Sequence, residues 1–378
     1  MTTTIQDVVE NLNDSLGNTV AQGAQRKIYR AIESAYREFA DATTWAYLQM
    51  HGRITTVAPY STGTIAYTHS TRTVTLSGGT FPTWAAYAIL NIGDVLYRVD
   101  SYTDSTHLVL DSNLNPGANV ASGTSYTLFR DAYSLPADFR ALGELQRPNF
   151  LPDLCYVPAA RWQKERQVFL QTGTPTAYTV MGDPWNPGRL ALFFAPAPDI
   201  ADTYDFVYHR RPRSLSIRDE SDGTVAVSNG GSTITGTGTG FTSAMIGSIF
   251  RMSGNSTSLP GGFSSDNPNV LEGRITAVAS TTSMTIAATA SASYSSVKFR
   301  ISDPIDISDG AMLNAFLRCC EKHLAILGPK SLEERNYTEG AYMKALHLAR
   351  DADARYVGPR FAGQKILWPQ FQVGEDQS

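Results

Sequence analysis

Charged side chains are scarce in this sequence. Asp, Glu, Lys and Arg make up 17% of the 378 residues, against roughly 25% in typical soluble domains. Much of the surface must therefore be neutral, which suits a protein that packs against copies of itself or against partners. The formal net charge of −4 excludes a globally basic nucleic-acid-binding protein and leaves room only for local basic patches.

Cysteine and long apolar runs are also lacking. The three cysteines, Cys155 and the adjacent Cys319 and Cys320, match neither a zinc-binding spacing nor a disulfide framework, which predicts reduced, structural thiols. No stretch approaches the ~18 apolar residues of a membrane-spanning helix, and the N-terminus has no basic segment followed by an apolar run. The sequence therefore predicts a protein without a membrane anchor that folds in a reducing cytoplasm.

Familiar catalytic and cofactor-binding motifs are absent from the sequence. It contains no H-E-x-x-H, C-x-x-C, G-x-S-x-G or Walker pattern, and its histidines are scattered. We interpret His323 as a helix-surface or bundle-edge residue rather than a metal ligand. The sequence predicts no catalytic, cofactor-binding or metal-binding residue, no cofactor and no enzymatic activity. A hydrolase stays an open alternative, because a pair of catalytic carboxylates leaves no local signature.

Helical periodicity is confined to the two ends of the chain. The predicted apolar faces are Ile5, Val8, Val9, Leu12 and Leu16; Ile28, Ile32, Ala35, Phe39, Ala42 and Ala46; Leu313, Phe316, Leu317, Cys320, Leu324 and Leu327; and Tyr337, Ala341, Ala345, Leu348 and Ala352. Ser331 and Glu334 are typical of a capping box that opens the last helix. Because no single helix buries its own apolar stripe, we expect residues 1–52 and 304–357 to form one helical bundle.

Between these ends, apolar and polar residues alternate in twos and are punctuated by Gly, Ser, Asn and Pro, which predicts strands. One phrase occurs twice: GTIAY at residues 63–67 matches GTVAV at 223–227, and residues 73–81 align without a gap with 233–241. This repeat predicts two duplicated small β-sandwich or β-barrel modules. The predicted α+β architecture inserts three parts into the bundle: β module 1 (residues 53–131), a central strand and loop segment (132–217) and β module 2 (218–303).

Glycine occupies every second position of residues 236–240 (GTGTG). A phosphate-binding loop needs a helix N-terminus and usually a Lys behind its glycines, whereas Phe-Thr-Ser-Ala-Met follows here. The first copy reads Ser-Gly-Gly-Thr at residues 77–80, so it lacks the alternating glycines that a phosphate-binding interpretation depends on. We therefore expect a turn or bulge, in which glycine supplies a positive φ or a close backbone approach.

Two further clusters lie outside these elements. Residues 209–214 (HRRPRS) concentrate Arg210, Arg211 and Arg213 at a predicted strand end, and arginine serves protein contacts and nucleic-acid phosphates alike. The C-terminal segment, residues 358–378, begins with a Gly-Pro helix stop and carries these apolar anchors: Phe361, Ile366, Leu367, Trp368 and Phe371. Such a segment either folds back on its own domain or docks on a partner.

The order of these parts resembles a known family. Two N-terminal helices run into WAYL (residues 45–48), a strand module is followed by YSLPADF (133–139), and SDPIDISDGAMLNAFLRCCEKHLA (302–325) precedes a last helix with Tyr337 and Tyr342. This succession is similar to the head-to-tail connector proteins of tailed bacteriophages, also called adaptor, neck or tail tubular protein A-like proteins. The likeness covers the helical ends and the Leu-Pro-x-Asp-Phe segment, and the β modules look like the insertions of phage structural proteins.

The resemblance implies a structural, non-catalytic virion protein of the neck, assembled in the host cytoplasm. Its subunits would form a dodecameric ring beneath the portal protein, continue the DNA channel and provide the attachment site for a tail tube or nozzle protein. The segment 358–378 would then dock on the portal or a neighbouring subunit. Arg210, Arg211 and Arg213 become candidates for DNA-channel or interface contacts. The alternatives are another tail component (tail tube, nozzle or fibre-attachment protein) and, less favoured, a wall-degrading hydrolase.

Overall fold

The structure is a computed structural model that describes residues 2–15, 22–146, 154–168, 172–261, 269–307, 310–328 and 330–357. The chain divides into two compact units. The first unit draws on the described residues of Met1–Leu48 and Pro212–Ser378, and the second unit is Gln49–Arg211.

The described residues form these α-helices: α1 (Ile5–Ser15), α2 (Gln22–Asp41), α3 (Ala159–Val168), α4 (Gly310–Leu327) and α5 (Leu332–Val357). They form these strands: β1 (Gln49–Thr55), β2 (Thr64–Thr68), β3 (Thr73–Ser77), β4 (Ile89–Ile92), β5 (Val95–Asp104), β6 (His107–Leu110), β7 (Val120–Thr124), β8 (Thr127–Phe129), β9 (Ala132–Ser134), β10 (Phe139–Gln146), β11 (Cys155–Tyr156), β12 (Thr172–Gly173), β13 (Ala177–Gly182), β14 (Leu190–Ala195), β15 (Ala197–Pro198), β16 (Thr203–Arg210), β17 (Thr224–Val227), β18 (Thr233–Thr237), β19 (Ile249–Met252), β20 (Leu271–Ser280), β21 (Ser283–Ile286), β22 (Tyr294–Val297) and β23 (Phe299–Ser302). The coarse prediction is confirmed: the fold is mixed α+β, β-sheets predominate, and a helix pair, α4 and α5, follows them.

Two seven-stranded sheets, one in each unit, have the same strand order. The order is β7-β2-β3-β6-β5-β4-β8 in the second unit and β22-β17-β18-β21-β20-β19-β23 in the first. Neighbouring strands are antiparallel throughout both sheets. Each strand of the one sheet therefore has a counterpart at the same place in the other, and these strands lie in the two segments where the sequence repeats.

A long strand joins the two halves of each sheet. Residues 95–98 of β5 pair with β4 and residues 99–104 with β6; in β20, residues 271–274 pair with β19 and residues 275–280 with β21. Each sheet has its own hydrophobic core. At a constant offset of 160 residues, the two cores bury the same kind of side chain to 3% exposure or less: Ile65 and Val225, Val74 and Ile234, Phe81 and Phe241.

Paired glycines occur at the same place in both modules. Gly63 and Gly78 in the first sheet, and Gly223 and Gly238 in the second, have φ between +70° and +89°, the left-handed region that favours glycine. A Cβ on Gly63 or Gly223 would overlap the carbonyl oxygen of the facing strand. The predicted role of the glycines is confirmed, since residues 236–240 contain both a positive φ and a close backbone approach, at a bend that directly follows β18.

The second unit contains further sheets, with the strand orders β1-β16-β10, β11-β13-β14-β9 and β12-β15. Strand β1 spans the predicted boundary at residue 52 and pairs with β16. The predicted central strand and loop segment also contains helix α3, whose Trp162 is buried with its ring centroid 6.4 Å from that of Phe193. Burial of one large side chain thus holds a helix that has little apolar periodicity of its own.

A hydrophobic cluster in the first unit receives side chains from α1, α2, α4 and α5. Its members include Leu12, Phe39, Phe316 and Leu346, one from each of these helices and all at most 4% exposed. Trp45 stacks on Phe39 with ring centroids 4.5 Å apart and donates a hydrogen bond from its Nε1 to the Phe39 carbonyl at 2.6 Å. Helix α2 ends before this tryptophan, so that the chain turns and packs the indole ring onto the same cluster.

Helix α5 buries only part of the stripe that the sequence predicts: Ala345 is buried, and Ala341 and Ala352 are half-buried. Tyr337 and Leu348, assigned to the buried face, are 77% and 62% exposed. The buried residues are Tyr342, Ala345, Leu346, Ala349 and Asp353. Both sets of residues have helical spacing and share Ala345; the set packed on the cluster combines two large apolar side chains with two alanines.

A buried ion pair joins α1 to β19 within the first unit. Arg251 is 3% exposed and donates to both carboxylate oxygens of Asp7, at 2.7 and 2.9 Å. Its guanidinium also donates to Glu272 at 3.1 Å and to the Thr2 carbonyl at 2.6 Å. The bidentate geometry and the two extra hydrogen bonds offset the cost of removing these charges from water.

The turn at Gly238 gives a test of the glycine assignment. We expect Gly238→Ala to lower the free energy of unfolding by about 1–2 kcal/mol, the cost of a left-handed conformation for alanine, since an added Cβ meets only ordinary contact there. Gly240→Ala is the matched control, because its Cβ meets no atom within 4 Å. Urea unfolding measures both variants, and equal midpoints would contradict the assignment. Nucleotide binding should be unaffected in either variant, and glycine-dependent nucleotide affinity would revive the phosphate-loop interpretation.

Candidate functional site

Helix α5 carries large apolar side chains outside its buried stripe. Tyr337 and Leu348 are 11 positions apart, which is three helical turns, so they lie on one side of the stripe. Leu332 and Met343 have the same separation and lie on its other side, with 75% and 56% exposure. Scattered exposed apolar residues are ordinary, but pairs repeated along one helix are typical of a contact surface. We call these four residues the α5 flanks.

The connection between α4 and α5 forms a cleft of about 350 Å³. Its lining residues are Ala325, Lys330, Glu333, Glu334, Tyr337 and Thr338. The predicted capping box is confirmed here, since the Ser331 amide donates to Glu334 at 2.9 Å and the Glu334 amide donates to Ser331 Oγ at 3.2 Å. These hydrogen bonds fix the start of α5 and hence the position of Tyr337 at the rim of the cleft.

The three predicted arginines have different surroundings. Arg213, in the first unit, donates to the Gly247 carbonyl at 2.6 Å and to the fully buried Asp303 at 2.8 Å. Its guanidinium is therefore engaged in the fold of that unit. Arg210 ends β16 in the second unit, and Arg211 is exposed. A DNA or interface contact by Arg210 and Arg211 stays a prediction.

The predicted anchors Phe361, Ile366, Leu367, Trp368 and Phe371 lie outside the described residues. Their docking on a partner stays a prediction. Among the residues that are described, no helix is both long enough and apolar enough to cross a membrane.

A cluster of three different side chains lies where α2 meets α4. Glu38 comes from α2, and Cys319 and His323 come from α4; their ligand-capable atoms all lie within 4.8 Å of one another. Glu38 accepts a hydrogen bond from Lys322 Nζ at 2.6 Å through one carboxylate oxygen, and its other oxygen lies 2.7 Å from His323 Nε2. Cys319 is fully buried, while the Glu38 and His323 side chains are 36% and 20% exposed.

Burial and charge set the protonation of this cluster. Partial burial works to raise the pKa of Glu38, but hydrogen bonds from Lys322 and His323 outweigh it, so the pKa of this carboxyl lies below its usual value. Burial raises the pKa of the Cys319 thiol to about 12, and burial raises the pKa of Cys320 well above its usual value. Glu38 is therefore ionised at neutral pH, and both thiols are protonated.

Sequence reasoning missed this cluster. Cys319 and His323 are four positions apart on one helix, a spacing that puts both side chains on the same face, and this signal was available in the sequence. The third member was not, because Glu38 is 285 positions from His323 and only the packing of α2 on α4 brings it there. His323 lies where α2 meets α4, with its side chain 20% exposed, which agrees with the bundle-edge alternative of the prediction.

No family model, no curated protein and no solved structure matches this chain. The family resemblance therefore rests on the order of sequence elements alone, and function has to be proposed from the surfaces and clusters described above.

The three free thiols should react at very different rates. The thiolate is the reactive species, so the buried and protonated Cys319 and Cys320 are expected to resist a disulfide reagent, while the exposed Cys155 reacts rapidly. Stopped-flow labelling of the native protein should give one fast thiol, and labelling in denaturant should give all three. Cys155→Ser should abolish the fast phase. A second fast thiol in the native protein would contradict the burial of the pair on α4.

Proposed function

We propose that this protein is a structural virion component, the head-to-tail connector (adaptor) of a tailed bacteriophage. In this proposal, copies of the chain form a ring beneath the portal protein, continue the DNA channel and present the attachment site for a tail tube or nozzle protein. The protein acts without catalysis or cofactor, and it is assembled in the host cytoplasm and resides in the neck of the virion.

The observation that carries this proposal is the pair of α5 flanks. Tyr337 and Leu332 are more than 70% exposed in the single chain, and fully burying a large apolar side chain contributes about 1.5–3 kcal/mol. A helix that is apolar on both sides of its buried stripe can contact two neighbours at once, which is what a subunit inside a ring requires. The low overall charge favours the same kind of extensive contact.

The order of the parts supports the same proposal. We infer that α1, α2, α4 and α5 form one bundle from both chain ends, because all four contribute side chains to one hydrophobic cluster. We also infer that the two seven-stranded sheets are copies of one module, because their strand orders and turn glycines agree. In this proposal the bundle would make the contacts with neighbouring subunits and with the portal protein, and the two β modules would be insertions in that bundle.

A second candidate is another tail component, such as a tail tube, nozzle or fibre-attachment protein. The predominance of β-sheets favours it, since a tail-tube protein is usually β throughout. The long helices α2, α4 and α5 favour the connector. Electron microscopy separates the two candidates, because a connector forms a ring that binds portal protein.

Substitutions on α5 test the ring. Tyr337→Ser combined with Leu348→Ser should leave folding intact, since both side chains are exposed, and should weaken subunit association at least about tenfold, the equivalent of 1.4 kcal/mol. The matched control is Leu114→Ser combined with Ile200→Ser, which removes apolar side chains of 48% and 58% exposure from the second unit. Analytical ultracentrifugation with and without the portal protein measures association. A wild-type chain that stays monomeric with portal, or an α5 variant that assembles normally, would contradict the proposal.

Truncation tests the C-terminal anchors. A chain that ends at Gly358 should fold as the full chain does but fail to join the portal, because it lacks the predicted anchors around Trp368. Trp368→Ala in the full chain should weaken portal binding in the same direction. Circular dichroism checks folding, and co-sedimentation with portal protein measures binding. Normal portal binding by the truncated chain would show that these residues do not dock there.

A further inference from the structure

The cluster of Glu38, Cys319 and His323 contains the donor atoms of a transition-metal site. A thiolate sulfur, an imidazole nitrogen and a carboxylate oxygen are the three ligand types that Zn²⁺ uses in proteins. Magnesium and calcium prefer oxygen ligands only, so the presence of sulfur and nitrogen selects against them. The described part of the chain brings these three types together at the junction of α2 and α4.

The geometry is close to that of a bound ion. With Zn–S near 2.3 Å and Zn–N and Zn–O near 2.0–2.2 Å, the ligand atoms of a tetrahedral site lie about 3.3–3.8 Å apart. The three atoms here lie within 4.8 Å of one another, so side-chain movements of about 1 Å form the site. Cys319 and His323 are held on one helix face, and the partly exposed Glu38 and His323 leave a path for an ion from solvent.

The contacts within the cluster are those that an ion would replace. His323 Nε2 and a Glu38 oxygen lie 2.7 Å apart, and Cys319 Sγ contacts the Ala35 carbonyl at 3.8 Å and the Tyr342 side chain. Lys322 is the competing cation, since its ammonium lies 2.6 Å from the other Glu38 oxygen. It also lies 5.0 Å from the centre of the Tyr342 ring, and that ring can retain it when the ion enters.

We propose that Glu38, Cys319 and His323 bind one Zn²⁺ ion, which clamps α2 to α4. Binding exchanges the thiol proton of Cys319 for the ion, and that proton goes to solvent; His323 binds as the neutral imidazole with its proton on Nδ1, and a water molecule completes the coordination. No redox change is involved. The site is independent of the connector function, because it lies between two helices of one chain.

Cobalt(II) provides a direct test on the full chain with the Cys155→Ser substitution, which removes the exposed thiol. Titration of the metal-free protein with Co²⁺ should produce thiolate-to-cobalt charge-transfer absorption that saturates at one ion per chain and is abolished by Zn²⁺. Cys319→Ala should lose this absorption, and His323→Ala and Glu38→Gln should weaken binding by at least about 100-fold, more than the 10–100-fold of outer-shell groups. Lys322→Met should tighten binding, because it removes the competing charge.

Cys320→Ala is the matched control. It removes an equally buried thiol on the next residue of α4, outside the cluster, and should keep the charge-transfer absorption and the affinity of the parent. Circular dichroism shows whether each variant folds. If Cys319→Ala does not fold, Glu38→Gln still tests the proposal, because Glu38 is partly exposed and its substitution should leave the fold intact. Absence of the absorption in the parent protein, its persistence in Cys319→Ala, or unchanged affinity in folded Glu38→Gln would overturn the proposal.

Discussion

The contact between Arg251 and Asp7 determines how the first unit is built. Both residues are at most 3% exposed, and removing one partner of such a pair costs about 3–5 kcal/mol because the other is left as an uncompensated buried charge. The same Asp7 carboxylate accepts the Thr4 amide at 2.8 Å and so begins α1. The start of the first helix and its attachment to β19, 244 positions later, are therefore one interaction. The position of α1 then fixes where Leu12 enters the hydrophobic cluster.

A second buried carboxylate, Asp303, directly follows β23, the edge strand that pairs with β19 in the same sheet. Asp303 accepts hydrogen bonds from Arg213 at 2.8 Å, from Ser248 at 2.7 Å and from the Ile217 amide at 2.8 Å. Its carbonyl accepts the Ile5 amide at 2.9 Å, so the residue that ends the sheet also receives the first helix. An arginine held this way serves a structural purpose within its own unit. The chain segments before and after the second module are thus joined by the ion pair between Arg213 and Asp303, which only the folded chain brings together.

Local patterns predicted what depends on neighbours in sequence. The capping box at Ser331, the strands of the repeated phrase and the turn at Gly238 each follow from a few adjacent residues. Predictions failed in part where packing decides between similar local choices: the predicted Ala345 of α5 is buried, but contact with the cluster selects Tyr342 and Leu346 in place of Tyr337 and Leu348. The meeting of Glu38 with His323 depends on how α2 packs against α4, and no local pattern contains that information.

The two modules differ where one of them meets the helices. At the offset of 160 residues that relates Val74 to Ile234 in the cores, Asn91 of β4 corresponds to Arg251 of β19. The cores and turns are alike because the same sheet geometry imposes the same requirements on both. The position of Asn91 and Arg251 differs between the modules, and in the second module it holds the arginine that binds Asp7 of α1. The arginine at this position therefore provides one of the contacts through which the second sheet receives the N-terminal helix, alongside the Asp303 carbonyl that accepts the Ile5 amide.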